Sequence, residues 1–242
     1  MRLIVIKCFV YLMLFPAFIF AQSNRPTIPL TGASPQSFVP KNWKIIYQEK
    51  GDLNKDKLAD QALIIENTDP KNIFKNDGFG AKELNVNPRI LLVLFKTENG
   101  YQLKAKNQQF IPTEGDTVST CLTDPLYETG AILIKNGTLT LSYHYWLSCG
   151  SYGVKSVDYT FRFQHEQLEL IGFDSHSFMR NTGEENRVSV NFSTLKSSYT
   201  SGGNVFSDQT NQPKTTWKKF VWPRLFTLDE MTNEMADKVQ GI

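Results

Sequence analysis

The sequence predicts a mainly β protein, an antiparallel meander or sandwich-like pair of sheets with a short C-terminal helix and one disulfide. Three observations predict it. From Trp43 onward, short runs rich in Val, Ile, Leu, Phe and Tyr alternate with turn residues, the period-two pattern of half-buried strands. Asn136-Gly137 and Glu98-Asn99-Gly100 each join two such runs, and residues that tolerate positive φ favour tight hairpin turns. Two cysteines, Cys121 and Cys149, form an even pair once the N-terminal leader is set aside.

That leader runs from Met1 to about Ala21. Arg2 and Lys7 stand around an apolar stretch reaching Phe20, after which polar Gln22-Ser23-Asn24 begins. This is the layout of a secretory signal peptide. An uncleaved stretch of about 18 apolar residues could instead anchor in a bilayer, but Pro16 and the small residue at the boundary favour cleavage. Cys8 lies at the start of the apolar region, poorly placed for a lipid-bearing cysteine. The expectation is an exported chain, periplasmic or secreted, with no membrane span after the leader.

The 242 residues carry 26 Lys+Arg and 24 Asp+Glu, so losing Arg2 and Lys7 leaves 24 of each sign. A neutral chain without a basic run has no footprint for phosphates, which excludes nucleic acid as the expected partner. In an oxidising compartment Cys121 and Cys149 are expected to pair rather than to act as redox centres, since neither lies in a Cys-x-x-Cys motif.

Gln22 to Pro40 is rich in Pro, Ser, Thr and Gly without apolar periodicity and reads as an extended or mobile arm. A single β-rich domain is expected over 41–242. Strands are predicted at Trp43–Gln48, Gln61–Glu66, Arg89–Lys96, Tyr101–Lys106, Ala131–Lys135, Thr138–Trp146, Val154–Gln164 and Gln167–Asp174. Leu139, Leu141, Tyr143 and Tyr145 share one face, as do Val157, Tyr159, Phe161 and Phe163. Such alternation implies sheets covered on one side. Arg187–Leu195 and Ser197–Thr200 read as a further hairpin, Trp217–Trp222 as a last strand, and Thr227–Val239 as a helix capped by Thr227. The segment Asn67–Pro88 is a long connection, a class often functional or mobile.

One segment carries recognisable chemistry. Gly51 to Asp60 places oxygens of Asp52, Asn54, Asp56 and Asp60 at loop positions one, three, five and nine, and the Leu58 carbonyl could add another. Calcium takes six to eight oxygens, and three clustered carboxylates repel one another until a cation neutralises them. The spacing resembles the Asp-x-Asn-x-Asp-x-x-x-Asp loops of the integrin-type FG-GAP and VCBS repeat families over Gly51 to Ile65. The resemblance implies a structural calcium ion between two strands. Lys57 stands where those loops usually have Gly, and one copy does not make a propeller. Leu63 at position twelve argues against an EF-hand. The bland alternative is an Asp/Asn-rich turn without an ion.

Over its length the chain also resembles a group of exported Gram-negative bacterial proteins, through Asn87-Pro88-Arg89-Ile90-Leu91-Leu92-Val93-Leu94, His144-Tyr145-Trp146-Leu147-Ser148-Cys149-Gly150 and Phe178-Met179-Arg180-Asn181-Thr182-Gly183. That resemblance speaks to location and build, not to mechanism.

For binding, the expected contact residues are His144, Trp146, Tyr152 and Arg180. Aromatic faces near the disulfide can stack on sugars or anchor a protein partner, while Tyr143 and Tyr145 fall on the apolar face. His144, His165 and His176 share no zinc-ligand spacing. Asp158, Asp174, Glu184 and Glu185 are acids without a sequence reason to meet. No catalytic residue is assigned. The expected function is a calcium-stabilised, non-catalytic binding or interaction protein of the exported space, its partner an envelope protein or glycan. The alternatives are an inhibitor or immunity-type protein acting on a cell-wall-directed enzyme, and a carbohydrate-active hydrolase.

Overall fold

The structure, a computed structural model, describes residues 26–126, 130–207 and 212–242. The expected leader lies outside the described residues. The strands are β1 (Thr31–Gly32), β2 (Trp43–Gly51), β3 (Asp60–Asn67), β4 (Ile73–Lys75), β5 (Glu83–Asn85), β6 (Arg89–Thr97), β7 (Gly100–Asn107), β8 (Ile132–Lys135), β9 (Thr138–Trp146), β10 (Gly153–Gln164), β11 (Gln167–Met179), β12 (Glu184–Asn191), β13 (Lys196–Asn204) and β14 (Lys214–Lys219), followed by helix α1 (Asn233–Gln240). They form a five-stranded sheet ordered β1-β7-β6-β3-β2, a seven-stranded meander ordered β14 to β8, and a two-stranded ribbon, β4-β5. All pairings are antiparallel. The predicted mainly β class is the observed one.

Both predicted hairpin turns form. Asn136 and Gly137 have φ of 54° and 74°, and Lys135 faces Thr138 across the turn. Glu98-Asn99 connects β6 to β7, with Thr97 opposite Gly100.

The main core lies where the two sheets meet. Leu139, Leu141, Tyr143, Tyr159, Phe161 and Phe173 from the larger sheet pack with Ala62, Ile64, Leu91 and Val93 from the smaller one. The opposite faces of β3 and β6 are also buried. Leu63, Ile65, Ile90, Leu92 and Leu94 form a second cluster with Ile28 and Phe38. The one-sided covering expected for every sheet therefore fails at the smaller sheet, whose central strands are apolar on both faces. The segment expected as an arm supplies the second cover: Phe38 is fully buried, and β1 pairs with the edge of β7.

Strand β11 runs on past the expected Asp174 to Met179, and β12 spans Glu184–Asn191 rather than 187–195; three further segments differ from the expectation for local reasons. The segment 227–239 is two elements, a 3-10 turn at Leu228–Glu230 and then α1, because Thr227 and Thr232 are both extended N-caps. The last strand ends at Lys219; Phe220 and Trp222 leave the sheet to pack edge-on against Phe192. The long connection 67–88 contains the β4-β5 ribbon rather than unpaired loop. Among the described residues no helix is long and apolar enough to cross a membrane.

Candidate functional site

The connection from β9 to β10 carries Cys149. Cys149 is bonded to Cys121, with Cα atoms 5.4 Å apart. Around this bond the two segments zip together: Ser148 N–H donates to the Cys121 carbonyl (2.8 Å) and Thr123 N–H to the Trp146 carbonyl (3.0 Å).

The ribbon closes over the same place. Ala81 N–H donates to the Thr120 carbonyl, one residue before the cystine, and the Thr120 hydroxyl donates to the Phe79 carbonyl at 2.8 Å. Gly80 between them has φ of 94°, and a Cβ there would lie 2.0 Å from the Thr120 carbonyl oxygen. Only glycine allows this approach.

Ribbon, cystine segment and the end of β9 enclose a cleft of about 490 Å³. Its walls include Glu83 and Asn85 of β5, Glu114, Asp124, and His144 and Trp146 of β9. A buried ionic network fixes its floor. Arg89, at the start of β6, donates through Nε to Glu66 (2.8 Å) and through Nη1 and Nη2 to both oxygens of Asp124 (2.7 Å each). Lys44 reaches the other side of Glu66 at 3.0 Å. Burial alone would lower the Arg89 pKa, but Asp124 and Glu66 hold it above its ordinary value. The Tyr47 hydroxyl pins the same segment by donating to the Leu126 carbonyl.

Of the four expected contact residues, the structure brings His144 and Trp146 into the cleft wall. Trp146 stays 36 % exposed. Arg180 does not line the cleft. Its guanidinium lies over the Trp146 ring, 5.2 Å from the centroid, and donates to the carbonyls of Leu147 and Ser151, so it positions the tryptophan and the cystine loop. Tyr152 is exposed but away from the cleft lining. The acids Glu83, Glu114 and Asp124 were not singled out from sequence.

The loop between β2 and β3 holds Asp52, Asn54, Asp56, Leu58 and Asp60. Asp52 accepts from the N–H groups of Lys55 and Lys57 (2.6 and 2.9 Å), Asn54 from Asp56 N–H, and Asp56 from Leu58 N–H. Lys55 and Lys57 both sit at positive φ, 66° and 71°, a left-handed conformation that costs a side-chain-bearing residue about 1 kcal/mol. The oxygen set suits a hard cation in kind. Among the described residues no three His, Cys, Asp or Glu side chains are gathered as a metal-holding group; the carboxylates here close on backbone N–H groups.

Asp60 is fully buried and accepts from Leu53 N–H and Lys96 N–H, both at 2.9 Å. Burial pushes its carboxyl pKa up, against the two N–H bonds, and the charges of Asp56 and Asp52 push the same way. A raised folded-state pKa gives stability that is full below the unfolded pKa, 3.8, and lost as pH rises through the folded value. The stability difference between wild type and Asp60→Asn is therefore expected to be most favourable to wild type in acid and to shrink as pH rises. Urea titrations across that range check the sign.

On the outer face of the larger sheet, Asp158 stands opposite Asp174, and both border a smaller hollow with His176 and Arg187. Ser142 donates to Asp158 at 2.5 Å. Glu185 instead binds His176 and Arg187, which lower its pKa, Arg187 most. Comparison with protein-family models, with curated proteins and with solved structures returned no match.

Proposed function

We propose that the chain is an exported, non-catalytic binding protein whose contact surface is the ribbon-bounded cleft beside the cystine. The observation that carries the reading is the placement of half-exposed Trp146 in a cleft whose frame is heavily braced, by a disulfide on one side and the Arg89 network on the other. A prepositioned aromatic on a rigid frame loses little entropy on binding. The ribbon and its connecting turn add exposed Ile73, Phe74 and Phe79, the last 85 % accessible. Exposed apolar side chains rimmed by polar ones suit a protein partner, which favours the inhibitor-type form of this reading. Asp124 has both oxygens committed to Arg89, and His144 Nδ1 faces Ser156 rather than an acid, an arrangement suited to framing a ligand more than to proton transfer. Capture of a partner by the chain from Gln22 onward, compared between wild type and Trp146→Ala, tests it.

Calcium belongs to the same proposal as a structural ion at Asp52, Asn54, Asp56, the Leu58 carbonyl and Asp60. At tenfold excess over Kd such an ion stabilises by about 1.4 kcal/mol, roughly 3–6 °C for a domain of this size. Melting in chelator and then in 10 mM calcium is expected to show that rise in wild type and none in Asp56→Ala. An equal melting temperature with and without calcium in wild type removes the ion from the account.

A further inference from the structure

We propose that the cleft receives a cationic group, an ammonium or guanidinium presented on a basic segment of a protein partner. The inference rests on the cleft being the binding surface and adds the chemistry of what enters it. Two independent properties of the wall point there.

The first is charge. The lining contains Glu83, Glu114 and Asp124 and no Lys or Arg. Behind it, Arg89 and Lys44 balance Asp124 and Glu66 within one network. Arg180 is turned to the cystine loop and stacks on Trp146 outside the lining. Glu83 and Glu114 are both exposed at the rim; Lys75 stands opposite Glu83 in the ribbon, and among the described residues neither acid is held in an ion pair. Among the described residues the Glu83 side chain takes part in no hydrogen bond or ion pair, and Glu114 accepts only from Asn85 (2.8 Å).

The second is the direction of the wall's hydrogen bonds. The Asn85 amide nitrogen is spent on Glu114 and Glu66, the Thr123 hydroxyl on the Trp146 carbonyl, and the Ser148 hydroxyl on the Cys121 carbonyl. The backbone N–H groups of Ala81, Gly115, Leu122, Thr123, His144 and Ser148 are all donated within the fold. Apart from the rings of His144 and Trp146, the side chains of the wall offer acceptors and no free donor. A neutral glycan needs donors as well as acceptors, because each hydroxyl does both. An ammonium or guanidinium only donates and gains charge-assisted bonds to Glu83 and Glu114, beside a Trp146 ring that already faces one guanidinium, that of Arg180.

Calorimetric titration of the chain from Gln22 onward with tetralysine, tetraglutamate and a neutral N-acetylglucosamine tetramer tests this. Tetralysine is expected to bind one to one, to weaken at least tenfold between 20 and 300 mM salt, and to weaken at least tenfold in Glu83→Gln/Glu114→Gln and severalfold in Glu83→Gln alone. Both residues are exposed, and unchanged melting of the variants shows that folding is intact. No tetralysine binding, or binding unchanged in both Gln variants, overturns the proposal. If the neutral tetramer binds instead, is lost in Trp146→Ala and is unaffected by the Gln variants, the cationic class falls while the cleft stands as a binding site. If Trp146→Ala alters the binding of none of the probes, both readings fall.

Discussion

Arg89→Met is expected to destabilise the protein by about 3–5 kcal/mol, because it leaves buried carboxylates without their cation. Glu66 is 2 % exposed and Arg89 4 %, and Asp124 loses both of its charge-assisted bonds at once. Lys44 still reaches Glu66, which keeps the cost from the top of that range; among the described residues Arg89 is the only cation paired with Asp124. Set against a typical total of about 5–15 kcal/mol, a loss of this size leaves a protein marginal at 37 °C. The cost comes from the orphaned acids rather than from lost packing. Replacing Glu66, Arg89 and Asp124 together by apolar residues of similar volume is therefore expected to cost less than Arg89→Met alone. Urea unfolding of the single and triple variants decides it, and a triple variant less stable than the single one contradicts this account of the network.

The second large effect is expected at the disulfide. Cys121 and Cys149 are separated by 28 residues, and releasing that loop in the unfolded chain corresponds to about 3.6 kcal/mol in the chain-entropy model. For a domain of about 200 residues this lowers the melting temperature by roughly 7–15 °C. The double substitution Cys121→Ser/Cys149→Ser should show it, and alkylation of unreduced protein should find no free thiol at either position. Because the zipper between Ser148 and Cys121 and between Thr123 and Trp146 forms one wall of the cleft, faster amide exchange is expected there first in the variant. A fall in melting temperature under 2 °C would mean that the zipper and the Arg89 network hold these segments without the bond.

Much of the sheet was legible in the sequence because period two survives wherever one face meets the core. Thr138–Trp146 was predicted to the residue, and the Asn136-Gly137 turn fixed its partner strand. Legibility failed where the covering element is distant in sequence. Ile90 to Leu94 is apolar at every position, and nothing local says that Phe38 and Ile28 close the second face. It failed again at irregular register. Continuing the β10-β11 hairpin from its turn would set Asp158 opposite Phe173; the bulge between Thr160 and Phe161, which leaves Ile171 unpaired, moves Asp158 opposite Asp174. For the site, the aromatic and cysteine positions were readable as residue types, so His144 and Trp146 were anticipated. Glu83 comes from the connection between β3 and β6, Glu114 and Asp124 from that between β7 and β8, and they meet only through the ribbon and the cystine segment. Arg180 looked like a contact residue because charge and exposure are inferred from residue type, whereas its hydrogen bonds to Leu147 and Ser151 depend on the neighbouring loop.

We propose that the braced cleft, and Trp146 in it, is where this protein binds. The most direct test is paired capture from envelope extract by immobilised wild type and Trp146→Ala, with melting curves showing that both are folded and mass spectrometry quantifying what each retains. The expected result is a partner held by wild type and reduced at least tenfold in the variant, the scale of a buried aromatic anchor. A partner retained equally by both proteins contradicts it.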